Sequence, residues 1–223
     1  MICLPNPAPQ NPLPIVDAWL TAATRQDAQP HANAITLASV STSGRPSARV
    51  VLIKHLSLKD GYIVFHSHYG SRKGLEFANN PWAAAVVHWD HLSRQIRFEG
   101  LITKSPKEES DAYFATRDWR SQLNAWTSEQ SQPISDRNEL LNRANKQAKK
   151  MSLPELNSSA TDRDFSLQRP PFWGGYRLWF RSIEFWTSKP ARFHDRVLYE
   201  RSLKQVDNRS PHAGSWSHQR LQP

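Results

Sequence analysis

Apolar positions recur along this chain at two spacings, and the changes between them mark its elements. From Pro14, the residues Ile15, Val16, Trp19, Leu20 and Ala23 return every three or four positions, which predicts an amphipathic helix ending near Arg25. The spacing then shortens to two. Ala34 to Ser41 and Ala48 to His55 read as antiparallel strands around the turn Thr42-Ser43-Gly44-Arg45-Pro46, and Tyr62 to Ser67, Trp82 to Trp89 and Arg94 to Lys104 read as three more. In the last of these Gln95, Arg97 and Glu99 share one face and Ile96, Phe98 and Gly100 the other, the signature of a strand with one wet side. A short helix, Gly70 to Asn79, is closed by Asn79-Asn80-Pro81.

Helical spacing returns after Ser105 in three segments: Pro106 through Phe114, Asp118 to Ser128, and Ser135 to Met151 with Ser135 as its cap. The final third is aromatic and reads as two strands joined by Thr187 to Ala191, with a last short strand ending at Leu221. Residues 1–13 carry four prolines and are expected to form a flexible arm, and 14–223 a single domain with long loops at 152–171 and 203–215. Short successive strands with tight turns predict a mainly β, α+β fold built on an antiparallel barrel or sandwich.

Charge narrows the partners. The formal net charge of +9 over 223 residues favours an anion, which could be nucleic acid, a membrane surface or a phosphorylated small molecule. The cations are dispersed, and the one cluster, Lys146 to Lys150, falls at a predicted helix C-terminus where the dipole favours it, so nucleic acid is not expected. No apolar run approaches the roughly 18 residues of a membrane span, and the proline-rich start lacks a secretory pattern, so a cytoplasmic protein is expected. Cys3 is the single cysteine, which excludes an internal disulfide, and no metal is expected.

The candidate chemistry lies in Arg49 to Lys73, RVVLIKHLSLKDGYIVFHSHYGSRK. Two strands here end in hydroxyls, a glycine and an Arg-Lys pair at a helix N-terminus, which collects backbone N–H groups, a positive dipole end and two cations. Such a place suits a phosphate. From spacing alone the alternative stays open, that Arg49, Lys54, Arg72 and Lys73 are solvated strand and helix ends.

The segments RVVLIKH, GSRK, RQIRFEG, QSQPIS, FWGGYRL, IEFW and RFHDRVLYER, in this order from about Asn11 to Pro223, resemble the FMN-dependent pyridoxine/pyridoxamine 5'-phosphate oxidases. The resemblance implies a homodimeric antiparallel split β-barrel of about six strands with peripheral helices and FMN at the dimer interface. It implies flavin contacts from Arg49, Val50, Val51, Leu52, Ile53 and Lys54, from His66 and Ser67, from the phosphate-binding pair Arg72 and Lys73, and from Gln95, Gln130, Ser131, Trp186 and Arg196. It implies that Lys54, Tyr113, Arg117 and Ser121 grip the phosphate of pyridoxamine 5'-phosphate or pyridoxine 5'-phosphate, and that Arg192 and His194 cover the ring as catalytic residues. The implied reaction yields pyridoxal 5'-phosphate, with molecular oxygen as the final acceptor.

Each of these residues also has a plainer reading. His194 can pair with Asp195 or Glu200, Trp173 and Trp186 can be core aromatics, and Tyr113 with Arg117, four apart on a helix, can simply pack a stem on a ring. The chain departs from the family in three places. It has Arg117-Asp118-Trp119-Arg120-Ser121 where Arg-Pro-Arg-Asp-Ser is usual, which adds a large indole, loses the proline and leads us to expect a different substrate pocket; His66 stands where an aromatic residue is commoner; and residues 1–13 lack the usual Arg and Tyr. Rival functions are a related flavin oxidase on another aromatic ring, of the phenazine-pathway type, and a flavin- or haem-binding split-barrel protein without turnover. A basic nucleic-acid-binding barrel is the third.

Overall fold

Backbone pairing begins with the hairpin β1 (Ala34–Val40) and β2 (Pro46–Leu52), in register from Ala34 opposite Leu52 to Val40 opposite Pro46. Gly44, in its turn, has φ +78°, a conformation glycine reaches without strain. In the computed structural model, which describes residues 4–25, 28–158, 165–205 and 210–223, the next strand differs from expectation. Ala48 to His55 is not continuous. The Ile53 N–H donates to the Asn33 carbonyl and the Lys54 N–H to the Val64 carbonyl, so the chain leaves β1 and, as β3 (His55–Ser57), pairs with β4 (Tyr62–His68).

Strands β5 (Trp82–Trp89) and β6 (Arg94–Lys104) form the second hairpin, and β7 (Trp173–Thr187) and β8 (Asp195–Glu200) the third. After the small ladder of β9 (Leu203–Lys204) with β10 (His212–Ala213), β11 (Ser217–Leu221) pairs with β8. The main sheet has nine strands in the order β11-β8-β7-β6-β5-β1-β2, with β3 and β4 attached through β7. Eleven strands are thus found among the described residues where the period-two pattern gave eight. The three additions, β3, β9 and β10, are two or three residues long, too short for periodicity to register. Gly100 permits close packing of β6 on β7, since a Cβ there would fall 1.8 Å from the Trp179 carbonyl oxygen.

The helices are α1 (Leu13–Arg25), α2 (Arg72–Asn79), α3 (Lys107–Ala115), α4 (Trp119–Thr127) and α5 (Arg137–Lys150). The α5 cap is Asp136, one residue later than expected: its carboxylate accepts the Glu139 N–H at 2.8 Å while the Glu139 carboxylate accepts the Ser135 hydroxyl and N–H. Among the described residues no helix is long and apolar enough to cross a membrane.

The chain forms two compact units. The first comprises Met1–Phe65, Glu76–Thr103 and Tyr176–Pro223. Its core is aromatic and follows the period-two faces: Phe98 stacks on Phe180 with centroids 4.6 Å apart, and Trp19 meets Phe185 edge-on at 5.2 Å. Burying each such ring contributes about 1.5–3 kcal/mol. The proline-rich start, expected as a free arm, is instead laid on this unit. Leu4 is buried, Tyr199 donates its hydroxyl proton to the Pro9 carbonyl, and Arg220 and Gln10 bond the Pro5 and Trp216 carbonyls. The expected loop 203–215 contains the β9–β10 ladder, with 206–209 outside the described residues.

The second unit, His66–Leu75 with Lys104–Gly175, holds α3, α4 and α5. Trp119, Leu123 and Ala148 form its α4–α5 core, against which Met151, Leu153, Leu156, Phe165 and Leu167 pack. Arg120 reaches the Leu156 and Ser158 carbonyls at 3.0 and 2.7 Å. The expected loop 152–171 is therefore tied down on both sides of 159–164, which lie outside the described residues.

Candidate functional site

In the second unit β4 ends by delivering His66 and Ser67, and α2 begins with Arg72 and Lys73. Lys73 is buried at 7% exposure, and its Nζ donates to Ser67 Oγ at 3.0 Å, Ser71 Oγ at 3.4 Å and Gln130 Oε1 at 3.0 Å. Ser67 also donates to Gln130 Oε1 at 2.9 Å. Ser67 and Lys73 are thus brought to Gln130, which lies 57 positions beyond Lys73 in the chain. Arg72, beside them in sequence, is exposed, and Ser131 is exposed with φ +76°.

A second group in this unit is aromatic. His66 stacks on Tyr113 at 3.8 Å and 18°, and on Trp173 at 5.3 Å and 16°. Gly175 leaves room for this arrangement, because a Cβ there would lie 2.5 Å from Ser105 Oγ and 3.2 Å from His66 Nε2. The Arg117 guanidinium lies 4.6 Å from the Trp173 ring and 5.7 Å from that of Phe114. Burial pushes its pKa down, and its Nη1 is buried with no hydrogen-bond partner. This is a cation held by rings, with a donor to spare.

Two neighbours in sequence do something else. Ser121 turns to Asp118: its N–H donates to Oδ1 at 2.8 Å, and its hydroxyl helps hold that carboxyl below its ordinary value although burial pushes the other way. Trp119, the indole gained in this motif, is a core residue. It is fully buried in the α4–α5 core, with Arg120 4.4 Å from its ring and Phe165 edge-on. The change from the usual Arg-Pro-Arg-Asp-Ser is absorbed by packing.

The first unit holds the other candidates. On β2, Arg49 is engaged by Ser39, Ser47 and Glu76, Val50 is 65% exposed, Val51 and Leu52 are half-buried, and Ile53 is buried. Lys54, at the switch from β2 to β3, is exposed. Gln95 is half-buried opposite His88 on β5. Trp186 and Arg196 face each other across the β7–β8 ladder, and Arg196 reaches Glu184 through Nε and Nη2 at 2.9 and 2.8 Å. Glu184 also takes Arg97 at 2.9 Å.

The turn between β7 and β8 carries Arg192 and His194. Ala191 and Arg192 have φ +53° and +64°, a left-handed conformation costly for residues with a Cβ. The His194 ring lies 4.7 Å from Trp186, and its Nδ1 accepts the Lys189 N–H at 3.2 Å. Its main-chain N–H donates to the Arg192 carbonyl. A neutral His194 in this geometry carries its proton on Nε2.

Sequence reasoning missed Glu76, Glu184 and Ser39, which hold the arginines. Their burial depends on partners distant in sequence, and no local pattern marks it. Among the described residues no group of His, Cys, Asp or Glu could hold a metal ion.

The chain is similar to known proteins over most of its length. Residues 21–148 match the family model described as pyridoxamine 5'-phosphate oxidase, and residues 173–223 one described as the pyridoxine 5'-phosphate oxidase C-terminal dimerisation region. The pyridoxine/pyridoxamine 5'-phosphate oxidase of Paraburkholderia phytofirmans is 43% identical over 221 residues, covering 96% of this chain and 90% of that protein. The protein of the same name in Gloeothece citriformis is 43% identical, covering 86% and 85%. Among solved structures, PhzG from Burkholderia lata in complex with tetrahydrophenazine-1-carboxylic acid superposes with a TM-score of 0.81 at 26% identity, over 100% of this chain and 98% of that one. A pyridoxamine 5'-phosphate oxidase-related, FMN binding protein from Nostoc punctiforme gives 0.66 at 16% identity, over 95% and 97%, a likeness of fold.

Proposed function

Because this chain belongs to the pyridoxamine 5'-phosphate oxidase family and has its split-barrel fold, we propose that it is an FMN-dependent homodimeric oxidase that converts pyridoxamine or pyridoxine 5'-phosphate to pyridoxal 5'-phosphate. The observation that carries this reading is Arg117. A guanidinium desolvated over Trp173, beside Tyr113 and with Nη1 unpartnered, is costly unless an anion completes it, and a phosphate monoester offers acceptors at the right geometry. The donor set also fits FMN. Lys73 at the first turn of α2, fixed by Ser67, Ser71 and Gln130, supplies a buried cation for the cofactor phosphate, with the exposed Arg72 adjacent.

Bound FMN would supply the two-electron acceptor and the route to oxygen. The chain's own residues bind and orient. Arg117 and Tyr113 hold the substrate phosphate. His194, kept in one tautomer by the Lys189 N–H, presents Nε2–H to a polar ring substituent, and Arg192, on its strained turn, covers the ring. Ser121 takes a smaller part than its position in the motif implies, since its hydroxyl serves the α4 cap.

A second reading has one observation in its favour, the full-length superposition on PhzG. On that reading the anion completing Arg117 is a carboxylate on a reduced tricyclic ring. Anaerobic mixing separates the two. Pyridoxamine 5'-phosphate should bleach the flavin absorbance, and Arg117→Ala should raise KM by about tenfold or more while the protein stays yellow. Bleaching by tetrahydrophenazine-1-carboxylic acid alone, or an unchanged KM in the variant, overturns the B6 reading.

A further inference from the structure

Glu76 has no role in the chemistry proposed above, yet it is one of the most heavily bonded side chains of the first unit. It lies on α2, one turn after the Arg72–Lys73 pair, and is 6% exposed. Its carboxylate accepts the Ser39 hydroxyl at 2.5 Å and the Ser47 hydroxyl at 2.8 and 3.1 Å. Both serines in turn accept from Arg49, Ser39 Oγ from Nη1 at 2.5 Å and Ser47 Oγ from Nη2 at 2.5 Å. Arg49 Nη2 also meets Glu76 Oε2 directly at 3.3 Å, and Nη1 reaches the Leu37 carbonyl at 3.4 Å.

These bonds have a direction. Each serine has one proton, and the carboxylate takes it, which turns the lone pairs of both hydroxyls toward the guanidinium. All four Nη protons of Arg49 are thereby committed, and Nε–H is the donor left to reach outward from a side chain still 20% exposed. A buried carboxylate is expensive, and beside a group meant for a phosphate it also subtracts positive charge. Stability alone is a weak reason to keep such a pair. Orientation is a better one, because a guanidinium fixed at both Nη atoms presents a single donor in one place.

We propose that Glu76 is a positioning residue for phosphate recognition: through Ser39 and Ser47 it sets Arg49 on β2. The proposal rests on the FMN reading above and deepens it, giving the cofactor phosphate a buried anion as its organiser.

The test compares FMN with riboflavin, which lacks the phosphate, by quenching of flavin fluorescence on titration with apoprotein. Glu76→Gln keeps the shape but removes the charge that pairs with Arg49, and it puts an amide N–H donor against Ser47, which bonds both carboxylate oxygens, in competition with the guanidinium. FMN affinity should fall by about tenfold or more, the size of one lost bond to a charged group, while riboflavin affinity stays within about twofold. The melting temperature of the apoprotein should change little. Equal losses for both flavins, or no loss for FMN, overturn the positioning role. Should Glu76→Ala fail to fold, Glu76→Gln and Ser47→Ala still decide the matter. If the unmodified chain binds neither flavin, the FMN reading itself falls, an outcome distinct from failure of the Glu76 role.

Discussion

Arg117, Trp119 and Arg120 stand within four positions of one another and meet three different environments. Arg120 spends its donors on the Leu156 and Ser158 carbonyls, Trp119 fills the α4–α5 core, and Arg117 keeps Nη1 unsatisfied. The first two serve folding, and the third bears a desolvation cost that folding does not recover. Replacing Arg117 by Met retains the apolar stem over Trp173 and removes the stranded charge. Arg117→Met should therefore melt no lower than the unmodified apoprotein, although substrate binding suffers; a clear fall in melting temperature would assign Arg117 to the scaffold. Trp119→Ala should instead cost about 3–5 kcal/mol in chemical denaturation, as expected for a fully buried indole.

At the scale of elements, caps decide where the helices of the second unit begin. Asp118 accepts the Ser121 N–H at the start of α4, and Asp118→Ala should cost about 1 kcal/mol. The bond also sets a pH dependence. Burial raises the Asp118 pKa, but the hydrogen bonds from Ser121 and the nearby Arg117 outweigh it, so the folded carboxyl sits below its ordinary value. A group depressed by folding adds stability above its unfolded pKa, near about 4, and loses it as pH falls through the folded value. Acid titration of stability should be shallower in Asp118→Asn than in the unmodified chain. Strand β2 shows the limit of local reading: its alternation is visible in sequence, but its end at Leu52 is set by the change of partner from β1 to β4.

For the whole molecule, the unsatisfied donors and exposed apolar groups point to occupants. Val50 on edge strand β2 and Phe193 in the β7–β8 turn are 65% and 76% exposed, costly placements for a chain that remains alone. Sedimentation should give twice the 25.6 kDa of one chain, and a stable monomer at micromolar concentration would remove the dimer from the proposal. FMN should stabilise the fold by mass action, by about 2.7 kcal/mol at a free concentration a hundred times its Kd. Absence of any shift in melting temperature with added FMN would contradict that linkage.

The sequence by itself determined the α+β composition, the faces of β6, the extent of α1, α2 and α4 to within a residue or two, and the family to which the chain belongs. Those features rest on periodicity, turn chemistry and collinear motifs, all written locally. Only the tertiary structure decided that Trp119 is core, that Ser121 bonds the Asp118 cap of α4, that the proline-rich start lies on the first unit, and that Glu76 and Glu184 hold arginines. Each of these depends on which distant residue desolvates a group or accepts its proton, and a carboxylate in a helix looks the same in sequence whether it faces water or a buried guanidinium.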